Sequence, residues 1–192
     1  MNVIGIVPSS ENMPGPSATK PGDIHTARNG KTVEVNNTDA EGRLILADAL
    51  SDATELKPAF IVDSATLTGA IVVALGDLHT GYFCKNAKLT KHLNAAAEAA
   101  GESLWQMPLV EEHAEDMKGV YADLNNISSN KGAGSAHGAG FLEFFVDKDI
   151  PWAHVDIAGT AWSTGHRISY NPKKGASGVM IRTYVELAKS WS

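Results

Sequence analysis

An α/β fold, with a mixed, largely parallel β-sheet and flanking helices, is predicted by three features of the chain. Short apolar or β-branched runs of strand length alternate with longer segments of helical period. The helical segments carry stop signals, Pro58 after one and Gly76 and Gly101 after two others. The 192 residues, 43% hydrophobic and 20% charged, have the size and composition of an ordinary globular domain with a sizeable core.

Taken in order, Val3-Ile4-Gly5-Ile6-Val7 is a β-branched run that reads as a buried strand. Buried strands need neighbours on both sides, so a strand this close to the first residue suggests a chain that begins inside a domain. Residues 8–30 carry Pro14, Pro16 and Pro21 without periodicity and read as a long loop, a class enriched in function. Residues 31–35 alternate and form a short strand, and 36–42 are a polar turn. A helix is expected over 44–57, with Leu46, Ala49, Leu50, Ala53 and Leu56 on one face. A buried strand over 59–63 and a short apolar helix over 67–75 follow. Then come a strand at 79–84 and an Ala-rich helix at 89–100. Residues 104–117 show no decisive pattern, and 123–135 are a polar loop rich in Asn, Ser and Gly. A helix over 136–146, a strand over 152–157, a loop over 158–176 and a last helix over 179–189 complete the chain. No internal repeat and no linker is visible.

The formal net charge of −6, without a Lys/Arg cluster, argues against a nucleic-acid partner held by bulk electrostatics. Cys84 is the single cysteine, so no internal disulfide forms and a reducing, cytoplasmic setting is expected. Its neighbours Tyr82 and Phe83 mark it as a buried structural thiol. No apolar stretch approaches the roughly 18 residues of a membrane span, so no membrane partner is expected. No basic region precedes the first apolar run, so no signal peptide is read.

The segment with most chemistry in it is Asn37-Thr38-Asp39-Ala40-Glu41-Gly42-Arg43-Leu44. On an extended path, residues two apart point the same way, so Asp39 and Glu41 could face one spot with Cα atoms about 6.6 Å apart. Carboxylate oxygens are hard ligands for Mg, Mn or Zn, and one carboxylate can bridge two ions. Arg43, just after Gly42, offers a planar, permanent cation suited to a carboxylate-like anion. The plainer reading is an acidic turn that caps the following helix, and the Asp-x-Glu spacing alone favours it.

The full octapeptide matches the signature of the leucyl (cytosol) aminopeptidase family without a mismatch, and other blocks resemble the same family in the right order. These are Pro8-Ser9-Ser10-Glu11-Asn12-Met13-Pro14-Gly15, Ala18-Thr19-Lys20-Pro21-Gly22-Asp23, Ser64-Ala65-Thr66-Leu67-Thr68-Gly69-Ala70 and Trp152-Ala153-His154-Val155-Asp156-Ile157-Ala158-Gly159-Thr160-Ala161. The resemblance implies a metal-dependent aminopeptidase that releases leucine-like N-terminal residues from peptides. It implies two divalent metal ions, Mn or Zn, with Asp39 binding one through side chain and backbone and Glu41 bridging both. Arg43 corresponds to the arginine that holds a bicarbonate, the general base toward the attacking water. Thr66, Leu67 and Gly69 match positions lining the substrate site, with Leu67 offering backbone groups to bicarbonate and substrate. Ala158 and Ala161 match positions bordering the pocket for the N-terminal side chain.

Residue chemistry supplies plainer alternatives for several of these. Thr66-Leu67-Thr68-Gly69 also reads as a helix N-terminus with Thr66 as cap, which is compatible with a nearby anion. Ala158 and Ala161 are small residues after a strand. His154 and Asp156 read as a satisfied, partly buried pair rather than metal ligands. No His-Glu-x-x-His motif, nucleophile elbow or complete phosphate-loop motif is present, the Gly132–Gly140 region included.

The resemblance covers 1–192 as the C-terminal portion of a catalytic domain. The family's separate N-terminal domain and its upstream lysine and aspartate ligands are expected to be absent. Two carboxylates alone make a poor dinuclear site. The family assembles as homo-hexamers, so the second reading is a catalytically incomplete remnant acting as an oligomerisation or binding module.

Overall fold

The computed structural model describes residues 2–162, 167–172 and 174–191. Strands β1 (Ile24–Thr26) and β2 (Thr32–Glu34) lead into helix α1 (Gly42–Glu55). Then follow β3 (Ile61–Ala65), α2 (Gly69–Leu75), β4 (Thr80–Cys84), α3 (Ala87–Ala100) and β5 (Leu104–Gln106). The remainder is α4 (Glu111–Glu115), β6 (Leu124–Asn125), α5 (Gly134–Glu143), β7 (Trp152–Asp156) and α6 (Ile181–Ser190). The mixed α/β class expected from the sequence is observed, with two sheets instead of one. Chain contacts divide the molecule into two compact units. One comprises Gly5–Ala59 and Leu109–Ile150, the other Met1–Ile4, Phe60–Pro108 and Pro151–Ser192.

In the first unit the sheet order is β1-β2-β6, antiparallel between β1 and β2 and parallel between β2 and β6. The parallel register sets Val33 opposite Leu124 and Glu34 opposite Asn125. Helix α1 buries Leu46, Ala47, Ala49 and Leu50, whereas Leu56, expected on the same face, is 55% exposed beyond the helix end. Helix α5 is lined with small residues, and Gly140 lets it press on the α4 backbone. A Cβ there would stand 2.7 Å from the His113 carbonyl oxygen. Glu34, buried at the end of β2, accepts the backbone N–H groups of Val120, Tyr121 and Ala122. Those donors, Tyr121 first, hold its carboxyl below the usual carboxylate range in spite of its burial.

In the second unit the order is β3-β7-β4-β5, with β3–β7 and β4–β5 parallel and β4–β7 antiparallel. Strand side chains alternate between faces. Ala153 and Val155 join Tyr82, Cys84, Leu89, Leu93, Met180 and Leu187 in one core. Trp152, His154 and Asp156 occupy the other face of β7. Asn86 caps α3 by accepting the Leu89 N–H at 2.9 Å, and Gly101 closes it in the left-handed conformation. Glu102 holds the start of α6, accepting from Met180 N, Thr183 N and Thr183 Oγ1 at 2.9, 3.0 and 2.6 Å.

The expected strand over 3–7 does not form. Val3, Ile4 and Val7 are 72%, 67% and 84% exposed, and the segment has no ladder partner among the described residues. A β-branched pattern sets the preference for an extended chain, but a strand exists only when a neighbour takes its N–H and C=O groups. No helix among the described residues is long and apolar enough to cross a membrane.

Candidate active site

The signature residues span the turn after β2 and the first residues of α1 in the first unit, Gly42, Arg43 and Leu44 being helical. The path over 37–41 is a turn, as expected for 36–42, and not the extended path on which the two carboxylates would face one spot. Ala40 N donates to Asn37 O at 3.2 Å, and Asp39 N to the Asn37 side-chain oxygen at 2.9 Å. An Asn side chain that captures the amide two residues on stabilises a turn over an extended chain. Glu41 is the N-cap of α1, in helical conformation and without a side-chain capping bond. The Glu41 carboxylate thus makes no capping bond to the helix it precedes.

The turn is held from beneath by Asn126, a fully buried residue that follows β6. Its Oδ1 accepts from Asn36 N at 2.8 Å and Asn37 N at 3.2 Å. Its Nδ2 donates to Asn37 O at 2.6 Å and, more weakly, to Ala40 O at 3.4 Å. Asn126 N in turn donates to Glu34 O at 2.9 Å, extending the β2–β6 pairing by one step. Glu41 is half-buried, and one of its oxygens accepts from Asn12 Nδ2 at 2.9 Å. This ties the Pro8–Gly15 block to the signature. Asp39 is exposed, and Arg43 is buried at 8% exposure.

Two hard oxygen donors within one turn suit a divalent cation in kind. They are a partial set. Among the described residues no group of three or more His, Cys, Asp or Glu side chains is arranged to hold a metal ion.

The remaining sequence-predicted residues lie in the second unit. Thr66 and Gly69 are exposed, and Leu67 is half-buried. The cap of α2 is Thr68, whose side chain accepts from Ile71 N at 3.3 Å, and not Thr66 as expected. The helix starts two residues later than the apolar run because Asp156 takes the preceding amides. Leu67 N donates to Asp156 Oδ1 at 3.1 Å, so a ligand role for its backbone narrows to the carbonyl oxygen. Ala158 N donates to the same oxygen at 3.2 Å. Ala158 and Ala161 are both half-buried, and Ala161 packs against the unit's core. Gly159 lets this turn touch the end of α2. A Cβ on it would lie 2.2 Å from the Gly76 carbonyl oxygen.

His154 and Asp156 are fully buried, beyond the partial burial expected, and they do not pair with each other. His154 Nδ1 bonds Asp63 Oδ1 at 2.6 Å, directly across the β3–β7 register, and Trp152 Nε1 donates to Asp63 Oδ2 at 2.7 Å. Asn126 and Asp63 were not singled out by the sequence. Nothing local marks Asn126, one polar residue in a polar loop. Asp63 sits in an apolar run, and its position opposite His154 is legible only once the register is known.

The family model of the cytosol aminopeptidase family, catalytic domain, matches residues 1–185. A probable cytosol aminopeptidase of Bdellovibrio bacteriovorus is 66% identical over 192 residues, 100% of this chain and 38% of the relative. One of Geobacter sulfurreducens is 52% identical over 190 residues, 99% of this chain and 38% of the relative. A solved structure of a tomato leucine aminopeptidase mutant superposes with a TM-score of 0.84 at 49% identity, covering 92% of this chain and 34% of that one. The chain thus spans less than two fifths of the length of these relatives. With the octapeptide intact and the match running almost end to end, the chain belongs to the cytosol aminopeptidase family and lies in its catalytic domain.

Proposed function

We propose that these residues form the C-terminal portion of the catalytic domain of a metal-dependent aminopeptidase, contributing part of its active site. The enzyme releases N-terminal amino acids, leucine-like ones foremost, from peptides. The observation that carries this reading is the unbroken Asn37–Leu44 signature on a turn that a buried amide holds in place. Asp39 and Glu41 are the side chains that would hold the metal, two divalent ions, Mn or Zn, with Glu41 the one that would serve both. Divalent metal chemistry supplies a strong nucleophile from water near neutral pH and polarises the scissile carbonyl.

The chain's own residues orient and neutralise. The two carboxylates offset part of the cationic charge. Asn12 fixes the rotamer of Glu41 through one oxygen. Arg43 provides a permanent positive seat for bicarbonate, whose chemistry is that of a base for a proton. Thr66, Gly69, Ala158 and Ala161 are small and leave room for a substrate side chain, while the Leu67 carbonyl accepts a hydrogen bond from the peptide. Two carboxylates cannot saturate a pair of four- to six-coordinate ions, so further ligands come from polypeptide beyond these residues. The relatives, of which the chain spans 38%, are long enough to hold them. A cytoplasmic setting fits the naming of those relatives, and a homo-hexamer is the proposed assembly.

The test supplies the remaining part of a relative in trans and follows leucine anilide hydrolysis together with metal content. Glu41→Gln is expected to lower both. Arg43→Ala is expected to slow turnover by about 10²–10⁴-fold, the usual worth of general-base assistance, with metal mostly retained and a weaker response to added bicarbonate. Full metal content and rate in Glu41→Gln would overturn the assignment.

A further inference from the structure

We infer that Asp156 is the positioning residue of the substrate-binding wall. Its carboxylate ties the Thr66–Gly69 turn to Ala158, and so sets the space open to the substrate's N-terminal side chain. The inference rests on the aminopeptidase reading and adds to it a residue that touches no substrate.

Asp156 is the last residue of β7 and is 1% exposed. The parallel register sets it opposite Ala65, the last residue of β3, and Ile157 N closes the ladder on Ala65 O at 2.9 Å. Both chains leave the sheet at this point, and the Asp156 side chain reaches into both exits. Its Oδ1 accepts from Leu67 N at 3.1 Å, Thr68 N at 3.4 Å and Ala158 N at 3.2 Å. Its Oδ2 accepts from Thr68 Oγ1 at 2.6 Å. Thr68 Oγ1 passes the restraint on, accepting from Ile71 N at the start of α2.

Four donors converging on one side chain require a group that only accepts, and an ionised carboxylate has about four lone-pair sites to offer. An Asn would turn its NH₂ toward at least one of these donors. Two of the donors belong to Leu67 and Ala158, residues on the proposed wall, and Thr66 and Gly69 flank them. A slackened carboxylate therefore moves the wall as one piece. Discrimination by side-chain size depends on that wall, since one methylene in a well-formed pocket is worth roughly 10–200-fold.

The experiment uses Asp156→Asn in the full chain, assembled with the complementing polypeptide, against leucine and alanine anilides. KM for the leucine substrate is expected to rise about tenfold with a smaller change in kcat, and the leucine-over-alanine preference to shrink by a similar factor. Metal content should be unchanged. Thr68→Val, which removes the Oδ2 partner and the cap on Ile71 N but leaves the three amides on Oδ1, should move the same quantities less and guards against a folding failure. Amide hydrogen exchange on the chain alone gives a readout independent of turnover. In Asp156→Asn the Leu67, Thr68 and Ala158 amides should exchange faster while those of α3 and α6 hold. An equal loss on both anilides at constant KM overturns the inference, and so do unchanged exchange rates at the three amides. A parent assembly without turnover would refute the peptidase reading itself, and the exchange result would still decide whether Asp156 holds the turn.

Discussion

Replacing Asn126 with alanine should loosen the signature turn without touching any proposed ligand. Its side chain makes three good hydrogen bonds to the turn, at 2.8, 3.2 and 2.6 Å, and one long one at 3.4 Å. At about 0.5–1.5 kcal/mol net for each good bond, the loss is about 1.5–4.5 kcal/mol. Asn36 and Asn37 are exposed, so water can reach their stranded N–H groups, and the low end of that range applies. Against a typical total of about 5–15 kcal/mol this remains a large fraction. Urea unfolding should show a lower midpoint at constant slope. Mn or Zn binding in the complemented assembly should weaken, because Asp39 no longer has a fixed backbone. Asn126→Asp is the informative companion. It keeps an acceptor for the two N–H groups but sets a carboxylate against the Asn37 and Ala40 carbonyls, so it should do no better than alanine at neutral pH. An alanine variant within about 0.5 kcal/mol of the parent would refute the reasoning, because that is the scatter of ordinary surface substitutions.

The isolated 192-residue chain, given Mn or Zn, should hydrolyse leucine anilide little or not at all; robust, chelator-sensitive turnover would show that the site needs fewer ligands than proposed. Asp63→Ala should destabilise the second unit by about 2–5 kcal/mol, since it strands the buried Trp152 and His154 donors, and Trp152 fluorescence should report it. Unaltered thermal unfolding would remove Asp63 as its anchor. Gly140→Ala drives a Cβ into the His113 carbonyl, where backbone and not a movable side chain must yield, and should cost about 1–3 kcal/mol. An unshifted melting temperature would mean that α4 lies farther from α5. Glu34 has a depressed folded pKa, so its contribution is fully present above the unfolded value of about 4.3 and is lost as pH falls through the folded value. Glu34→Gln should therefore be less stable than the parent above that pH and should flatten the acid limb. Parallel stability–pH curves would rule this out.

What was legible in the sequence was what local pattern controls. The stops at Gly76 and Gly101 hold, the face of α1 is buried at Leu46, Ala49 and Leu50, and β4 and β7 start within a residue of expectation. Strands β1 and β6, three and two residues long, were lost in loops because a run that short carries no period. The segment over 3–7 erred the other way, having a strand's composition without a partner. Asp39, Glu41 and Arg43 stood out as candidates because they fall within one octapeptide. The holding roles of Asn126 and Asp156 were not legible, Asp156 being read only as a partner of His154, since both reach their loops across sequence separations of 86 to 90 residues.

Those two residues nevertheless occupy equivalent places, each in its own unit. Asn126 follows β6, the parallel partner of β2, and takes the amides of the loop that leaves β2. Asp156 ends β7, the parallel partner of β3, and takes the amides of the loop that leaves β3. Parallel strands bring both exits to the same edge of a sheet, where backbone N–H groups run out of ladder partners. A short polar side chain at the end of the neighbouring strand is the nearest acceptor that can reach them. Ligand sites in α/β sheets cluster at carboxyl strand ends for a related reason, since loops that leave the sheet there are exposed yet anchored. The candidate residues stand on the two loops so anchored or at the start of the helices that follow them: Asp39, Glu41 and Arg43 after β2, and Thr66, Leu67 and Gly69 after β3. What the two share is a short polar side chain at the end of the parallel neighbour of the strand whose loop carries the chemistry.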